Sequence, residues 1–160
     1  MGILVLGLGN SIMTDDGFGV HVIEALRERF RMPEDVTLLD GGTLGLDLLP
    51  RLEGVERLLI VDALQMGGEP GTVYHLHGED VPRAFAAKLS VHQMGVQDLL
   101  AVAELQGHLP RELVVWGVQA AVIGMGLELT PVVSGALEEV IDGIIAELTA
   151  WGAPPARIAA

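Results

Sequence analysis

Short aliphatic runs alternate along this chain with longer stretches in which apolar positions recur at helical spacing. The runs predict buried strands at residues 3–6, 36–39, 57–61 and 113–118. The helical spacing predicts longer helices whose buried faces fall within residues 20–30, 96–103 and 137–148. Buried strands that alternate with helices are typical of a parallel sheet covered on both faces. The pattern therefore predicts an α/β fold, a three-layer α/β/α sandwich with a mostly parallel sheet.

Local signals add three expectations to this framework. Residues 72–76 follow a turn rich in glycine and proline and predict one strand that returns antiparallel at a sheet edge. Thr43 is expected to cap a short helix that ends before Pro50. Thr130 and Pro131 are expected to open the last helix, with proline at its favoured first position.

The length and composition indicate one domain with an aliphatic core. The chain has 160 residues, of which 50% are hydrophobic and only 4% aromatic. Residues 1–150 are expected to form a single α/β domain, and residues 151–160 a short, loose C-terminal tail. Because the sequence contains no cysteine, it excludes disulfides, thiolate metal ligands and a cysteine nucleophile.

The charge and the termini narrow the expected partners and location. The net charge of -13, from 22 acidic and 9 basic residues, argues against a nucleic acid or an anionic membrane as partner. No signal-peptide pattern is present, and no apolar stretch reaches the ~18 residues that a membrane span needs. We therefore expect a cytoplasmic protein that does not bind membranes. No long apolar surface stripe is evident, so a monomer is expected.

Three polar residues fall at corresponding points of the predicted fold. Asp16 lies in the loop after the first strand, and Asp62 ends the third. His92 falls in the first turn of a helix, because Ser90 and Gln93 have the spacing of a capping box. The carboxyl ends of parallel strands line one crevice, where ligands bind. Two carboxylates and an imidazole there would suit a divalent ion such as zinc or nickel.

Each of these residues also has a structural interpretation that the pattern alone leaves open. Asp16 suits a helix cap, Asp62 suits an acceptor for backbone amides, and His92 suits a hydrogen bond at its helix start. Asp15 competes with Asp16 for the same role. Outside this set, His75 and His77 alternate on the predicted edge strand and would share one face. The sequence indicates no partner for that pair.

Two other kinds of site are disfavoured. The Gly7-Leu8-Gly9 turn, with Asp40 as a ribose-binding acid, suggests a dinucleotide site. However, Ile12 occupies the third glycine position of that fingerprint, and Asp15 and Asp16 would repel a pyrophosphate. A serine hydrolase is disfavoured because the chain has no G-x-S-x-G elbow.

Several segments resemble the maturation endopeptidases of nickel-iron hydrogenases, in order and over nearly the whole chain to about Trp151. The similarity is greatest to the branch that serves membrane-bound uptake hydrogenases. The segments that carry it are GLGNSIMTDDGFGV at 7–20, LLDGGTLGLDLL at 38–49, LLIVDAL at 58–64, EPGTV at 69–73, SVHQMGVQDLLAVA at 90–103 and GHLP at 107–110.

The resemblance implies an endopeptidase that removes a short C-terminal peptide from a hydrogenase large-subunit precursor after nickel has been inserted. It implies a metal-recognising site at Asp16, Asp62 and His92. Asp40, in the Asp40-Gly41-Gly42-Thr43 turn, is the candidate for positioning or activating water, as in an aspartate-dependent protease. The nickel would come from the precursor, and no permanently bound metal is expected. A checkpoint protein that holds the precursor without cutting it is the alternative.

Overall fold

A computed structural model describes residues 2–85 and 91–158 and, within the second range, the side chains from residue 95 onward. Its strands are β1 (Gly2–Leu8), β2 (Phe30–Arg31), β3 (Val36–Gly42), β4 (Val55–Leu64), β5 (Val73–His77), β6 (Glu112–Gln119) and β7 (Ala156–Arg157). Its α-helices are α1 (Phe18–Arg29), α2 (Asp80–Ala84), α3 (Val91–Leu105), α4 (Pro131–Ser134) and α5 (Leu137–Ala150). Two 3-10 helices span Thr14–Gly17 and Gly45–Leu52.

The main sheet has five strands in the order β3-β1-β4-β6-β5. Strands β3, β1, β4 and β6 pair in parallel, and β5 pairs antiparallel with β6 at the edge. The predicted mostly parallel sheet with an antiparallel edge strand is therefore confirmed. From β1 the chain goes to β3, which pairs with one side of β1, and then crosses to β4, which pairs with the other side of β1. The strand order thus reverses between β1 and β4, where α/β folds open a ligand crevice.

Two apolar layers hold the helices against this sheet. Residues of β4 alternate between them, so that Leu59 and Val61 face α1 and α5, whereas Leu58 and Ile60 face α3. Both layers are aliphatic, as the composition predicts, and each fully buried leucine contributes about 1.5–3 kcal/mol through removal from water. The three-layer α/β/α sandwich is confirmed.

Three local expectations differ from the structure. Strand β4 continues to Leu64, because it pairs with β6 through Leu64 and Gln119, so Asp62 lies inside the strand instead of ending it. The segment after β3 is a 3-10 helix that includes Pro50, and it has no capping side-chain hydrogen bond from Thr43. The φ angle of proline, fixed at about −65°, lies in the range of a 3-10 helix.

The C-terminal part of the chain differs from the prediction in two ways: the last helix is split in two, and the described part of the tail is ordered. Thr130 and Pro131 open a helix as predicted, but it ends at Ser134 as α4, and α5 begins at Leu137. The expectation of a loose tail is wrong for its described part, since β7 pairs with β2 and Ala153 is buried. Across the described ranges, every helix is too short or too polar to cross a bilayer.

Candidate active site

Glycine at position 9 brings two acidic residues together at the crevice between β1 and β4. Gly9 has φ +120, a conformation that side-chain-bearing residues rarely adopt. A Cβ built there would collide with the backbone carbonyl of Asp16 and would lie 3.5 Å from Oδ1 of Asp62. The loop after β1 therefore runs directly between the two acids, as expected for residues at the ends of adjacent parallel strands.

Asp16 lies in the 3-10 helix that precedes α1, and its side chain is 2% exposed. Its Oδ2 accepts a hydrogen bond from the backbone N–H of Asn10 at 3.0 Å. Helix α1 follows Gly17 without a capping side-chain hydrogen bond, so Asp16 is not the cap of α1. The positive end of this helix favours a carboxylate at its start.

Close backbone packing fixes where α1 begins. At Gly19 a Cβ would collide with the backbone carbonyls of Leu8 and Val61, which belong to β1 and β4. The first turn of α1 therefore lies directly against the two strands that border the crevice. This contact explains the glycine after Phe18 and holds the Asp16 segment in register with the sheet.

Asp62 is fully buried within β4. Asp62 is two residues from Ile60 and from Leu64, and residues two apart in a strand share a face. It therefore belongs to the sheet face covered by α3. His92 is the second residue of α3, as predicted, but its side chain and Ser90 lie outside the described residues. Asp16 and Asp62 therefore lie at one crevice. Helix α3, which carries His92, packs on the same face of the sheet as Asp62.

Asp15 has a different environment from Asp16, although the two are adjacent. Its Oδ2 accepts hydrogen bonds from the N–H groups of Ala121 and Val122, both at 2.9 Å. Its Oδ1 accepts from the N–H of Thr130 at 2.8 Å, and the Thr130 hydroxyl also donates to the carboxylate. Asp15 therefore joins the first loop to the loop after β6. Sequence reasoning missed this role because nothing nearby in the chain signals it.

Asp40 lies at the end of β3 beside a narrow cleft. The cleft has a volume of about 180 Å³, and its walls are residues 9–11 on one side and Asp40, Gly42 and Thr43 on the other. Asp40 is exposed, and its Oδ1 accepts a hydrogen bond from the N–H of Gly42 at 2.9 Å. Because Asn10 both lines this cleft and binds Asp16, the cleft adjoins the acidic pair.

The fold and the site define an α/β domain with buried acids at the switch point of its sheet, and comparison with known proteins identifies its family. The model of the hydrogenase maturation protease family, HycI, matches residues 20–147. The chain is 43% identical over 152 residues to the hydrogenase expression/formation protein HupD of Rhodobacter capsulatus, covering 94% of this chain and 72% of that protein. It is 38% identical to the hydrogenase 2 maturation protease of Escherichia coli K12, covering 95% and 93%.

Solved structures agree with these relatives. The hydrogenase maturating endopeptidase HybD from E. coli superimposes with a TM-score of 0.94 at 37% identity, and 98% of each chain is covered. This chain belongs to the hydrogenase maturation protease family and is a peptide hydrolase. The resemblance seen in the sequence is confirmed, and it favours an endopeptidase over the checkpoint protein that does not cut.

Proposed function

We propose that this chain removes the C-terminal peptide of a nickel-iron hydrogenase large-subunit precursor after nickel insertion, and that it recognises the metal through Asp16, Asp62 and His92. The observation that carries the proposal is that Oδ1 of Asp62 and the backbone of Asp16 both approach Gly9, while the buried carboxylate of Asp16 accepts a hydrogen bond from the next residue, Asn10, at the switch point of the sheet. Nickel is then part of the substrate and not a resident cofactor of the protease.

Electrostatics gives this arrangement a reason. Asp16 and Asp62 are both buried acids, and the attraction between a carboxylate and a cation is stronger in a site that excludes water than in bulk solvent. A divalent ion presented by the precursor would gain from that attraction. Carboxylate oxygens and an imidazole nitrogen are suitable ligands for nickel. A precursor without nickel would lack this contact and would not be aligned for cleavage.

Cleavage itself requires a base near the scissile peptide, and Asp40 is the candidate. In the proposed step, water adds to the scissile carbonyl carbon while Asp40 accepts its proton. The proton then passes to the amine nitrogen as the C–N bond breaks. General-base catalysis of this kind contributes about 10²–10⁴-fold, and alignment of the peptide beside the base contributes several kcal/mol more.

Exposed apolar side chains around the crevice support a protein as the substrate. They occupy the loops that follow the carboxyl ends of β1, β3, β4 and β6, and we call this set the apolar rim. Its members are Ile12, Leu44, Leu46, Met66, Val122, Ile123, Met125 and Leu127. Exposed apolar groups collected around a site indicate a protein-binding surface more often than a small-molecule site.

The proposal is tested by incubating purified protein with nickel-loaded and nickel-free large subunit and measuring the mass of the large subunit. We expect the wild type to shorten only the nickel-loaded form. Asp16→Asn, Asp62→Asn and His92→Ala should each slow this cleavage by about 100-fold or more, because the first two remove the negative charge of a ligand and the third removes the imidazole. Asp142→Asn, which changes an exposed acid on α5, is the matched control. Wild-type cleavage rates in all three ligand variants would refute metal recognition at this site.

A further inference from the structure

A second group of metal-ligating side chains lies at the antiparallel edge of the sheet. His75 and His77 come from β5, and Glu147 comes from α5. One ligand atom from each of the three residues lies within 4.8 Å of the others. Nε2 of His75 is 2.6 Å from Oε1 of Glu147, and Nε2 of His77 is 4.0 Å from the same oxygen. Within the described residues, this is the one place where three such side chains meet.

Packing holds two of the three side chains in position. The ring of His75 stacks on the ring of Trp116 with centroids 4.0 Å apart and an angle of 12° between the planes. At Gly143 a Cβ would collide with the six-membered part of the Trp116 ring, so α5 approaches β6 closely there. Glu147 follows Gly143 by one helical turn and therefore points to the same face. Ligands on rigid elements lose little freedom when a metal binds.

We propose that His75, His77 and Glu147 bind a divalent transition-metal ion of the zinc type. Zinc with nitrogen and oxygen ligands at 2.0–2.2 Å in tetrahedral geometry separates those ligand atoms by about 3.3–3.5 Å. The distance of 2.6 Å between His75 and Glu147 is shorter than this separation, and the distance of 4.0 Å between His77 and Glu147 is longer. A rotation of the exposed His77 ring and a slight opening of the contact between His75 and Glu147 complete the geometry. Imidazole suits zinc, copper and nickel better than magnesium or calcium.

The fourth coordination position opens on a cleft. This cleft has a volume of about 400 Å³ and is lined on one side by His77, Glu147 and Trp151 and on another by Arg111. Water or a small anion fits the open position there. Three protein ligands with one open position is the arrangement of exchangeable zinc sites, in contrast to closed structural sites with four ligands.

This site is separate from the crevice that contains Asp16 and Asp62. Residues alternate between the faces of a strand, and the face of Asp62 is the one that packs under α3. Val73, two residues before His75, packs in the opposite layer together with Trp116 and α5. The two sites therefore lie on opposite faces of the sheet and share no ligand, and the second does not depend on the proposed processing function.

The test is zinc binding by the full chain, measured by isothermal titration calorimetry in the His92→Ala background, which removes the imidazole assigned to the crevice. We expect one zinc ion to bind, and we expect His77→Ala in that background to weaken binding by tenfold or more. His108→Ala, which changes a histidine in the loop before β6, should have no effect. Failure of the His92→Ala protein to bind zinc, or equal affinity after His77→Ala, would overturn the proposal.

Two further measurements separate coordination from a change in folding. Glu147→Gln keeps the shape and a hydrogen-bonding group beside His75 but removes the charge, so it should weaken zinc binding with no change in circular dichroism. Cobalt in place of zinc should quench tryptophan emission, because Trp116 stacks on a ligand ring. Cobalt that binds with no change in that emission would contradict the assignment.

Discussion

The two neighbouring acids Asp15 and Asp16 are both buried, but their hydrogen-bond partners lie in different loops. Both carboxylate oxygens of Asp15 accept hydrogen bonds from backbone amides of the loop after β6. Asp16 instead lies beside Gly9 and Asn10 at the crevice, next to Asp62. Asp15 is fully buried and accepts hydrogen bonds from several amides, so its carboxylate stabilises the fold. Asp16 lies at the crevice, and it is the acid that we propose as a metal ligand.

This difference predicts different effects of substitution. Asp15→Ala would leave the N–H groups of Ala121, Val122 and Thr130 without their acceptor, and we expect the free energy of unfolding to fall by about 3 kcal/mol. Asp16→Asn should change that free energy by less than about 1 kcal/mol, because it keeps an acceptor for Asn10. Urea denaturation of both variants measures the two values. Equal stability of the Asp15→Ala variant and the wild type would contradict the structural role.

The sequence pattern predicted that acids lie at the crevice, but it did not distinguish Asp16 from Asp15. Asp16 follows β1 and Asp62 lies near the carboxyl end of β4, and the topology of parallel strands brings such positions together. The choice between Asp15 and Asp16 depends on hydrogen bonds to residues 121–130, which local patterns cannot reveal. Glu147 was missed for the same reason: it meets His75 only through the packing of α5 on the sheet. The positions of the His92 side chain and the role of Asp40 stay predictions.

At the scale of elements, the start of α3 depends on contact between two glycines. A Cβ at Gly95 would lie 2.9 Å from the Cα of Gly45, which has φ +53 in the 3-10 helix after β3. The helix that carries His92 therefore packs backbone against backbone on the segment that follows the Asp40 turn. This contact joins the helix that carries His92 to the segment beside the Asp40 cleft, so we expect a shift of α3 to affect the proposed site.

Gly95→Ala tests that coupling. The added methyl group meets backbone that cannot rotate away, and overpacking of this kind costs about 1–3 kcal/mol. Alanine also raises helix propensity by about 0.8–1 kcal/mol, which offsets part of the loss. We therefore expect a thermal midpoint close to that of the wild type but processing slower by tenfold or more, because α3 shifts.

Gly135→Ala is the control for this variant, since a Cβ there meets its nearest neighbour, the carbonyl oxygen of Pro131, only at 3.4 Å, and Gly135 lies outside the apolar rim. Processing assays and thermal unfolding of the two variants compare them directly. Equal processing rates would show that the position of α3 does not matter to the site.

Elements were predictable where local periodicity is strong and not where tertiary contacts decide. The parallel strands and the antiparallel edge strand have clear apolar patterns, and all were predicted. The pairing of β7 with β2 joins segments of two residues each, and such short strands have no pattern of their own. The break between α4 and α5 comes after Ser134. Thr130 was expected only to start a helix, but its hydroxyl also donates a hydrogen bond to Asp15.

On the scale of the whole molecule, exposed apolar groups are unevenly distributed. The apolar rim surrounds the crevice at the carboxyl ends of the parallel strands. Leu105 lies at the end of α3, on the connection that leads into the amino end of β6, and is 87% exposed. Leu105 and the rim therefore lie at opposite ends of the sheet. This makes Leu105 a matched control for surface substitutions.

Substitution of the apolar rim should weaken substrate binding without affecting the fold. We expect Met125→Glu, at a side chain that is 83% exposed, to raise KM for the large-subunit precursor by tenfold or more with little change in kcat. Leu105→Glu should leave both parameters unchanged. Steady-state processing kinetics distinguishes these outcomes. Similar KM values for both variants would show that the precursor does not dock on the rim.

The hydrogen bonds of Asp15 also constrain how this chain could be rebuilt. The segment around the first loop and the segment at 121–130 are far apart in the chain but are joined through one carboxylate. A graft of a foreign sequence into either segment alone would have to place its backbone amides or its carboxylate within hydrogen-bonding distance of the segment that was kept. Replacement of one segment in this chain is therefore expected to succeed only when the other is replaced with it.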